Sequence, residues 1–376
     1  MRHFFVFVFL MLFFHAAGVI AQDRVVSQQA VFRLVTIAES LHHPWNIAFL
    51  PDGDVLVTER RGKLWRIKLS GEKTKINGIP PVHAKGQGGL FDVVLAPDFK
   101  QTGRIYFSYA APADSDNNNT ELAYAQLNME TNYLENINVV FRAQPKLEGN
   151  SHYGGRILFA PDGTIFLTLG ERYDYKSEAQ NIGNHLGTIV HINQDGSPAS
   201  NNPFAGRKEA MQEIFAYGIR NAQGIAQQPE TNRIWFHEHG PRGGDEVNIL
   251  KAGANYGWPK ITYGVDYTGL RVSDKTALPG MEQPVIYWTP SIAPSGMAFY
   301  NGARFPEWKG DLFVGALAGE HLRRLEVEGD KITGQEVLLK DLGERIRDVR
   351  EGPDGYLYFV TDSTRGRLIR LEPLER

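Results

Sequence analysis

Ile47-Ala48-Phe49-Leu50-Pro51-Asp52-Gly53, followed by Val55-Leu56-Val57, reads as an apolar strand, a tight turn and a second apolar strand. Pro presets the turn backbone, Asp bonds its own main chain, and Gly reaches conformations other residues avoid. The phrase returns at Ile157-Leu158-Phe159-Ala160-Pro161-Asp162-Gly163 before Ile165-Phe166-Leu167, and at Pro353-Asp354-Gly355 before Leu357-Tyr358-Phe359-Val360. Weaker copies stand at Pro97-Asp98-Phe99 and Pro229-Glu230, and a stretched one runs from Met297-Ala298-Phe299-Tyr300 through Pro306 to Leu312-Phe313-Val314. Six copies, roughly sixty residues apart, form an internal repeat. Their apolar runs are continuous rather than alternating, which predicts strands buried on both faces, as in stacked blades. The expected fold is therefore all-β, a six-bladed β-propeller. A parallel α/β sheet needs helical patterns between its strands; here Asp174 to Asn184 offers room for only a short helix. Phe32-Arg33-Leu34-Val35, ahead of the first copy, is expected to complete the last blade and close the ring.

The chain begins with Arg2, an unbroken apolar run from Phe4 to Phe14, and the small residues of Ala16-Ala17-Gly18-Val19-Ile20-Ala21. This predicts a secretory signal peptide over residues 1–21, cleaved after Ala21, in preference to a membrane anchor, for which the run is short. The remainder, 22–376, is expected to be one propeller domain, periplasmic or secreted, with no stable membrane insertion once the leader is removed. There are no cysteines, so an exported chain must rely on its packed core. The formal charge is −3 and no basic run occurs, which argues against nucleic acid and anionic membrane as partners. Asp114-Ser115-Asp116-Asn117-Asn118-Asn119-Thr120 reads as a solvated loop between strands, and Asn118-Asn119-Thr120 also matches a glycosylation sequon.

The hairpin reading locates chemistry. The start of the first strand and the end of the second lie at the same end of a blade, so the residues flanking each apolar pair share one rim. In a propeller the innermost strands line the central channel, and these residues should converge there. The positions before the strands carry His43-Pro44-Trp45-Asn46, Gln87-Gly88-Gly89, Ser151-His152-Tyr153-Gly154-Gly155-Arg156, Arg220-Asn221, Trp288 with Pro294-Ser295-Gly296, and Arg345-Ile346-Arg347-Asp348. The positions after them add Glu59-Arg60, Gly170-Glu171-Arg172 and His237-Glu238-His239-Gly240-Pro241.

His152 is the candidate general base, and Glu171, at the other end of the same hairpin, is placed to orient its imidazole and favour the protonated form. Arg345 and Arg347 are two apart on a strand and point to one side, where they repel unless an anionic ligand joins them or each finds its own carboxylate. The glycine-rich, acidic stretch from Glu238 to Glu246 lacks EF-hand spacing, but backbone carbonyls there could take Ca²⁺. Zinc finds no His-x-x-x-His pair, Gly86-Gln87-Gly88-Gly89 is no phosphate loop, and no Gly-x-Ser-x-Gly elbow occurs.

Several segments in order resemble the soluble quinoprotein glucose/sorbosone dehydrogenases, in particular the PQQ-dependent aldose sugar dehydrogenases. They are His-Pro-Trp with Pro-Asp-Gly (43–53), Gly-Gln-Gly-Gly-Leu (86–90), His-Tyr-Gly-Gly-Arg (152–156), Leu-Gly-Glu-Arg (169–172), Arg-Asn-Ala-Gln-Gly (220–224), His-Gly-Pro (239–241), Asn-Tyr-Gly-Trp-Pro (255–259) and Arg-Ile-Arg-Asp-Val (345–349). The resemblance implies the same six-bladed fold and oxidation of an aldose at C1 to the lactone, with electrons passed to an external acceptor. It implies His152 as the base, Glu171 as its support and Gln87 positioning substrate. Arg345 and Arg347 would hold PQQ carboxylates, Arg220 and Asn221 would contact the quinone oxygens, and Trp288 would form an aromatic wall. Ca²⁺ would bind through the carbonyls of Gly240 and Pro241. Two departures stand out: relatives carry Lys where Ala318 stands, and often Lys or Arg where Thr188 stands, with Arg323 and Arg324 nearby but out of phase. Two other functions compete, a calcium-dependent lactonase and an exported binding propeller without catalysis.

Overall fold

The computed structural model describes residues 22–114 and 116–375; the expected signal peptide lies outside the described residues. Six antiparallel sheets follow one another, five of four strands and one of five. The innermost strands are Pro44–Phe49, Leu90–Leu95, Ile157–Phe159, Ala222–Gln227, Pro294–Phe299 and Ile346–Glu351, each starting its own blade. Each touches the next and the last returns to the first, which makes a closed ring. The sixth blade is completed by the N-terminal segment: Val31–Leu41 pairs with Gly366–Pro373, and Gln22–Val26 adds the outer edge. Closure of the ring by Phe32-Arg33-Leu34-Val35 is thus observed.

The second strands, Val55–Glu59, Ile165–Thr168, Leu312–Ala316 and Leu357–Thr361, are buried along their whole length, as continuous apolar runs predict. The Pro-Asp-Gly turns are built alike. Gly53 N donates to Leu50 O at 3.0 Å and Gly163 N to Ala160 O at 2.9 Å, while Asp52 and Asp162 each accept from the backbone N–H two residues on. At the opposite end, five of the six innermost strands shift register within their first residues. Bulges of this kind bend a strand end and re-aim its side chains, and this is the rim where the polar residues gather.

The short helix expected within Asp174–Asn184 is a single 3-10 turn, Lys176–Gln180. The polar tract is not loop throughout: Asn118, Asn119 and Thr120 open the strand Asn118–Asn128 and are buried. Asn118 donates to Gly149 O and accepts from Tyr153 and Arg172, so the sequon is sealed inside the fold. Among the described residues no helix is long and apolar enough to cross a membrane.

Candidate active site

A cleft of about 250 Å³ opens over the channel at the loaded rim. Its apolar lining is Trp45, Phe91 and Tyr153, with ring centroids 5.4 and 5.5 Å apart in succession. Arg156, fully buried below, lies 4.0 Å from the Trp45 ring. Tyr267 and Leu317 also face the cleft, and Arg60, Arg345, Arg347 and Asp362 bring charge to it. Of the residues singled out by sequence, Gln87, Asn221, Arg345 and Arg347 line it directly.

His152 stands just behind the lining residues Tyr153 and Gly154. Its Nδ1 is 3.1 Å from Glu171 Oε1, and both side chains are buried. Its backbone is left-handed, with φ +52°. The loop is pinned from several sides: Gln87 Oε1 accepts from His152 N at 2.9 Å, and Arg172 Nη2 donates to Gly149 O and Asn118 Oδ1. Gly154 passes so close to the neighbouring strand that a Cβ there would lie 2.4 Å from Thr168 O; the Gly in His-Tyr-Gly-Gly is a matter of room as well as of φ. Asn221 Oδ1 accepts from Gly154 N at 3.1 Å, tying the fourth blade to this loop.

The electrostatics correct one expectation. Burial, with Arg220 and Arg172 nearby, lowers the His152 pKa well below its ordinary value, so the imidazole is neutral rather than protonated. Burial raises Glu171 to about 7, partly offset by Arg220. A neutral imidazole with Nδ1 committed to a carboxylate is a base whose Nε2 can take a proton.

Arg347 Nη2 lies 2.8 Å and Arg345 Nη2 3.5 Å from Asp362 Oδ2, while His43 Nδ1 sits 2.7 Å from Oδ1. Burial alone would raise Asp362, but Arg347, His43 and Arg345 hold it well below the usual carboxylate range. The two arginines thus share one carboxylate instead of each having its own, and the cleft keeps a surplus of positive charge suited to an anionic ligand.

Other residues fall elsewhere. Trp288 is no wall of the cleft: it is buried in the outermost strand of the fourth blade, and its Nε1 donates to Gln335 Oε1 at 3.1 Å. Thr188 is fully buried and bonds His185 O, so a charge there would not face the cleft. Ala318 is replaced at the lining by its neighbour Leu317, which brings no charge. Arg324 is spent on Asp311, Glu326 and Glu336, and Arg323 lies by Trp288. Arg220 does not contact the cleft as freely as Asn221, because its Nη1 donates to Gly240 O at 2.7 Å and to His239 O at 3.2 Å. That contact bears on calcium. One of the two carbonyls expected to hold the ion is taken by a guanidinium, and among the described residues no cluster of three or more His, Asp or Glu is grouped for a metal. A Ca²⁺ on these carbonyls would share Gly240 O with the Arg220 guanidinium.

Sequence reasoning gave no role to His239, Tyr267, Leu317 or Asp362. Asp362 follows the second strand of the sixth blade, in the same phase as Glu171 in the third, so the rim rule applied once more would have found it. Tyr267 lies in the long segment between Asp245–Ile249 and Ile286–Trp288, which no repeat phase reaches.

The family profile described as Glucose / Sorbosone dehydrogenase matches residues 41–370. The chain is 44% identical to the aldose sugar dehydrogenase YliI of Escherichia coli (strain K12) over 349 residues, 92% of this chain and 94% of the relative. The crystal structure of the soluble aldose sugar dehydrogenase of Escherichia coli in the apo-form superimposes with a TM-score of 0.89 at 43% identity, covering 91% of this chain and all of that one (100%). The PQQ-bound form of an aldose sugar dehydrogenase from Streptomyces coelicolor gives 0.76 at 28% identity, covering 90% and 96% of the two chains. The propeller, the rim cleft and these matches together establish that the chain belongs to the glucose/sorbosone dehydrogenase family of oxidoreductases.

Proposed function

We propose that the protein is a PQQ-dependent aldose sugar dehydrogenase that oxidises an aldose at C1 to the lactone and delivers the electrons to an external acceptor. The observation that carries this reading is the pairing of His152 with Glu171 beside a cleft whose guanidiniums outnumber its carboxylates. PQQ is a flat polycarboxylate, and the residues present suit it: Arg345 and Arg347 for its carboxylates, Trp45, Phe91 and Tyr153 as an apolar surface, Asn221 at the far side. When bound, it supplies an ortho-quinone as the two-electron acceptor.

The chain's own residues do the rest. His152 Nε2 takes the proton of the anomeric hydroxyl as the hydrogen on C1 leaves with its electron pair, which yields the lactone. Glu171 accepts from Nδ1–H and stabilises the imidazolium that forms. Gln87 spends its carbonyl end on the His152 backbone, which leaves its NH₂ for a substrate oxygen. A base so placed contributes ~10²–10⁴-fold. With a leader over residues 1–21, the reaction belongs to the periplasm or the medium.

The test is reconstitution of the mature chain with PQQ, with and without Ca²⁺, followed by dye reduction with several aldoses. Reduction that requires PQQ and collapses in His152→Ala is the expected result. Lactone hydrolysis without PQQ would favour the lactonase, and PQQ binding without turnover the binding propeller. No PQQ binding at micromolar concentration would overturn the proposal.

A further inference from the structure

Arg60 follows the second strand of the first blade, Val55–Glu59, and its side chain lines the cleft. Its backbone is fixed on both sides: its N–H donates to His43 O at 3.1 Å, and its carbonyl accepts from Leu90 N at 2.8 Å. Gly89 packs so closely that a Cβ there would lie 1.9 Å from Arg60 O and 2.7 Å from Arg60 Cγ, so glycine is required to seat the stem. The guanidinium is held over the cleft, yet among the described residues no acceptor engages it. Asp362, the carboxylate lining the same cleft, has one oxygen on His43 and the other on Arg347 and Arg345. Burial, Arg347, Arg61 and Arg345 all press on the Arg60 charge, and Asp362 alone relieves it. Crowding a half-buried guanidinium against two others, with no carboxylate bonded to it, is unfavourable, and the fold accepts this while Gly89 makes room for the stem.

We propose that Arg60 is a third carboxylate ligand of the cleft, which joins Arg345 and Arg347 in holding PQQ. The inference rests on the PQQ reading above. Arg60 acts by binding and not in proton transfer, and its planar fork can meet a carboxylate through two N–H bonds at once.

The experiment is equilibrium binding of PQQ to the full mature chain, read by quenching of tryptophan fluorescence, since Trp45 lines the same cleft. Arg60→Met keeps the aliphatic stem against Gly89, and Arg60→Lys keeps the charge without the fork. Expected are a ~10- to 100-fold weaker Kd for Arg60→Met, a smaller loss for Arg60→Lys, and a shallower salt dependence in Arg60→Met. Melting temperatures of the ligand-free variants should equal or exceed that of the parent, because an unpaired cation is relieved. Unchanged PQQ affinity in Arg60→Met, or a marked fall in its melting temperature, overturns the proposal, the second because it would reveal a structural partner. Trimesate, a simple benzene tricarboxylate, separates the two readings. If the parent binds trimesate through Arg60 but not PQQ, the anion site stands and the cofactor reading falls; if it binds neither, both fall.

Discussion

Ionised, Glu171 accepts the Nδ1 proton of His152 and frees Nε2 to act as a base; protonated, it donates to Nδ1 and leaves the proton on Nε2, where the lone pair is needed. Because burial raises Glu171 to about 7, turnover limited by the proton step should rise with pH through about 7, a limb a pH–rate profile of kcat/KM will show. Stability runs the other way. A carboxyl raised in the folded state binds its proton more tightly there than in the unfolded chain, so its contribution is full below the unfolded value and is lost as pH rises through about 7. The ionised group at pH 8 thus costs roughly 3 kcal/mol of stability. Glu171→Gln keeps an acceptor for Nδ1–H but carries no charge. It should flatten the pH limb and lower kcat by up to ~10⁴-fold, as when an orienting carboxylate is lost elsewhere. It should also melt higher than the parent at pH 8 and much like it at pH 5. Equal losses of activity and of stability at both pH values would contradict the assignment.

Phe32 shows what a strand from the far end of the chain does for the ring. It is fully buried, 6.1 Å from Phe305 and 5.5 Å from Trp308 by ring centroids, so the segment that closes the sixth blade also packs against the fifth. Phe32→Ala should cost ~3–5 kcal/mol, measured as a lower urea midpoint with an unchanged slope; a change in slope would mean that the blade edge had come apart. The inner and second strands were legible in sequence because they are sandwiched between blades and read as continuous apolar runs. The outer strands were not, because one face meets water: Lys331–Leu338 alternates between exposed positions and partly or fully buried ones and resembles a polar connection. Asn118-Asn119-Thr120 failed for the opposite reason. Polar residues opened a buried strand, and partners further along the chain make that tolerable: the Tyr153 and Arg172 side chains donate to Asn118, while Asn119 donates to Ala143 O and Thr120 to Tyr153 O.

Across the whole molecule the ring is joined through charge as well as through apolar packing. Asp92 and Asp348, both fully buried, face Arg156 and the partly exposed Arg350, and Asn46 donates to both carboxylates. These residues start from the first, second, third and sixth blades, and the two acids also accept the N–H groups of Ile47 and Ile157 at neighbouring innermost strands. The rim rule read Arg156 and Asp348 as candidates for chemistry because it knows only phase along a hairpin; which polar residues plug the channel and which face a ligand is decided by partners in other blades, and no local sequence window contains them. Tyr267 was hidden because its segment lies outside every repeat phase, and Asp362 because the rim rule stopped short of the sixth blade's second strand, whereas His152 and Glu171 were legible because one hairpin carries both. Arg156 links the plug to the cleft, since its guanidinium pairs with Asp348 at 2.9 Å and supports the Trp45 ring. Arg156→Met leaves a buried carboxylate unbalanced and should destabilise by ~3–5 kcal/mol, with weaker PQQ binding as the Trp45 face loosens. Adding Asp348→Asn removes the unbalanced charge, so the double variant should recover part of that loss. Equilibrium unfolding of both single variants and the double variant closes the cycle, and a strongly non-additive result is expected. Strict additivity would show that the four charges act separately and that the blades are held by apolar packing alone.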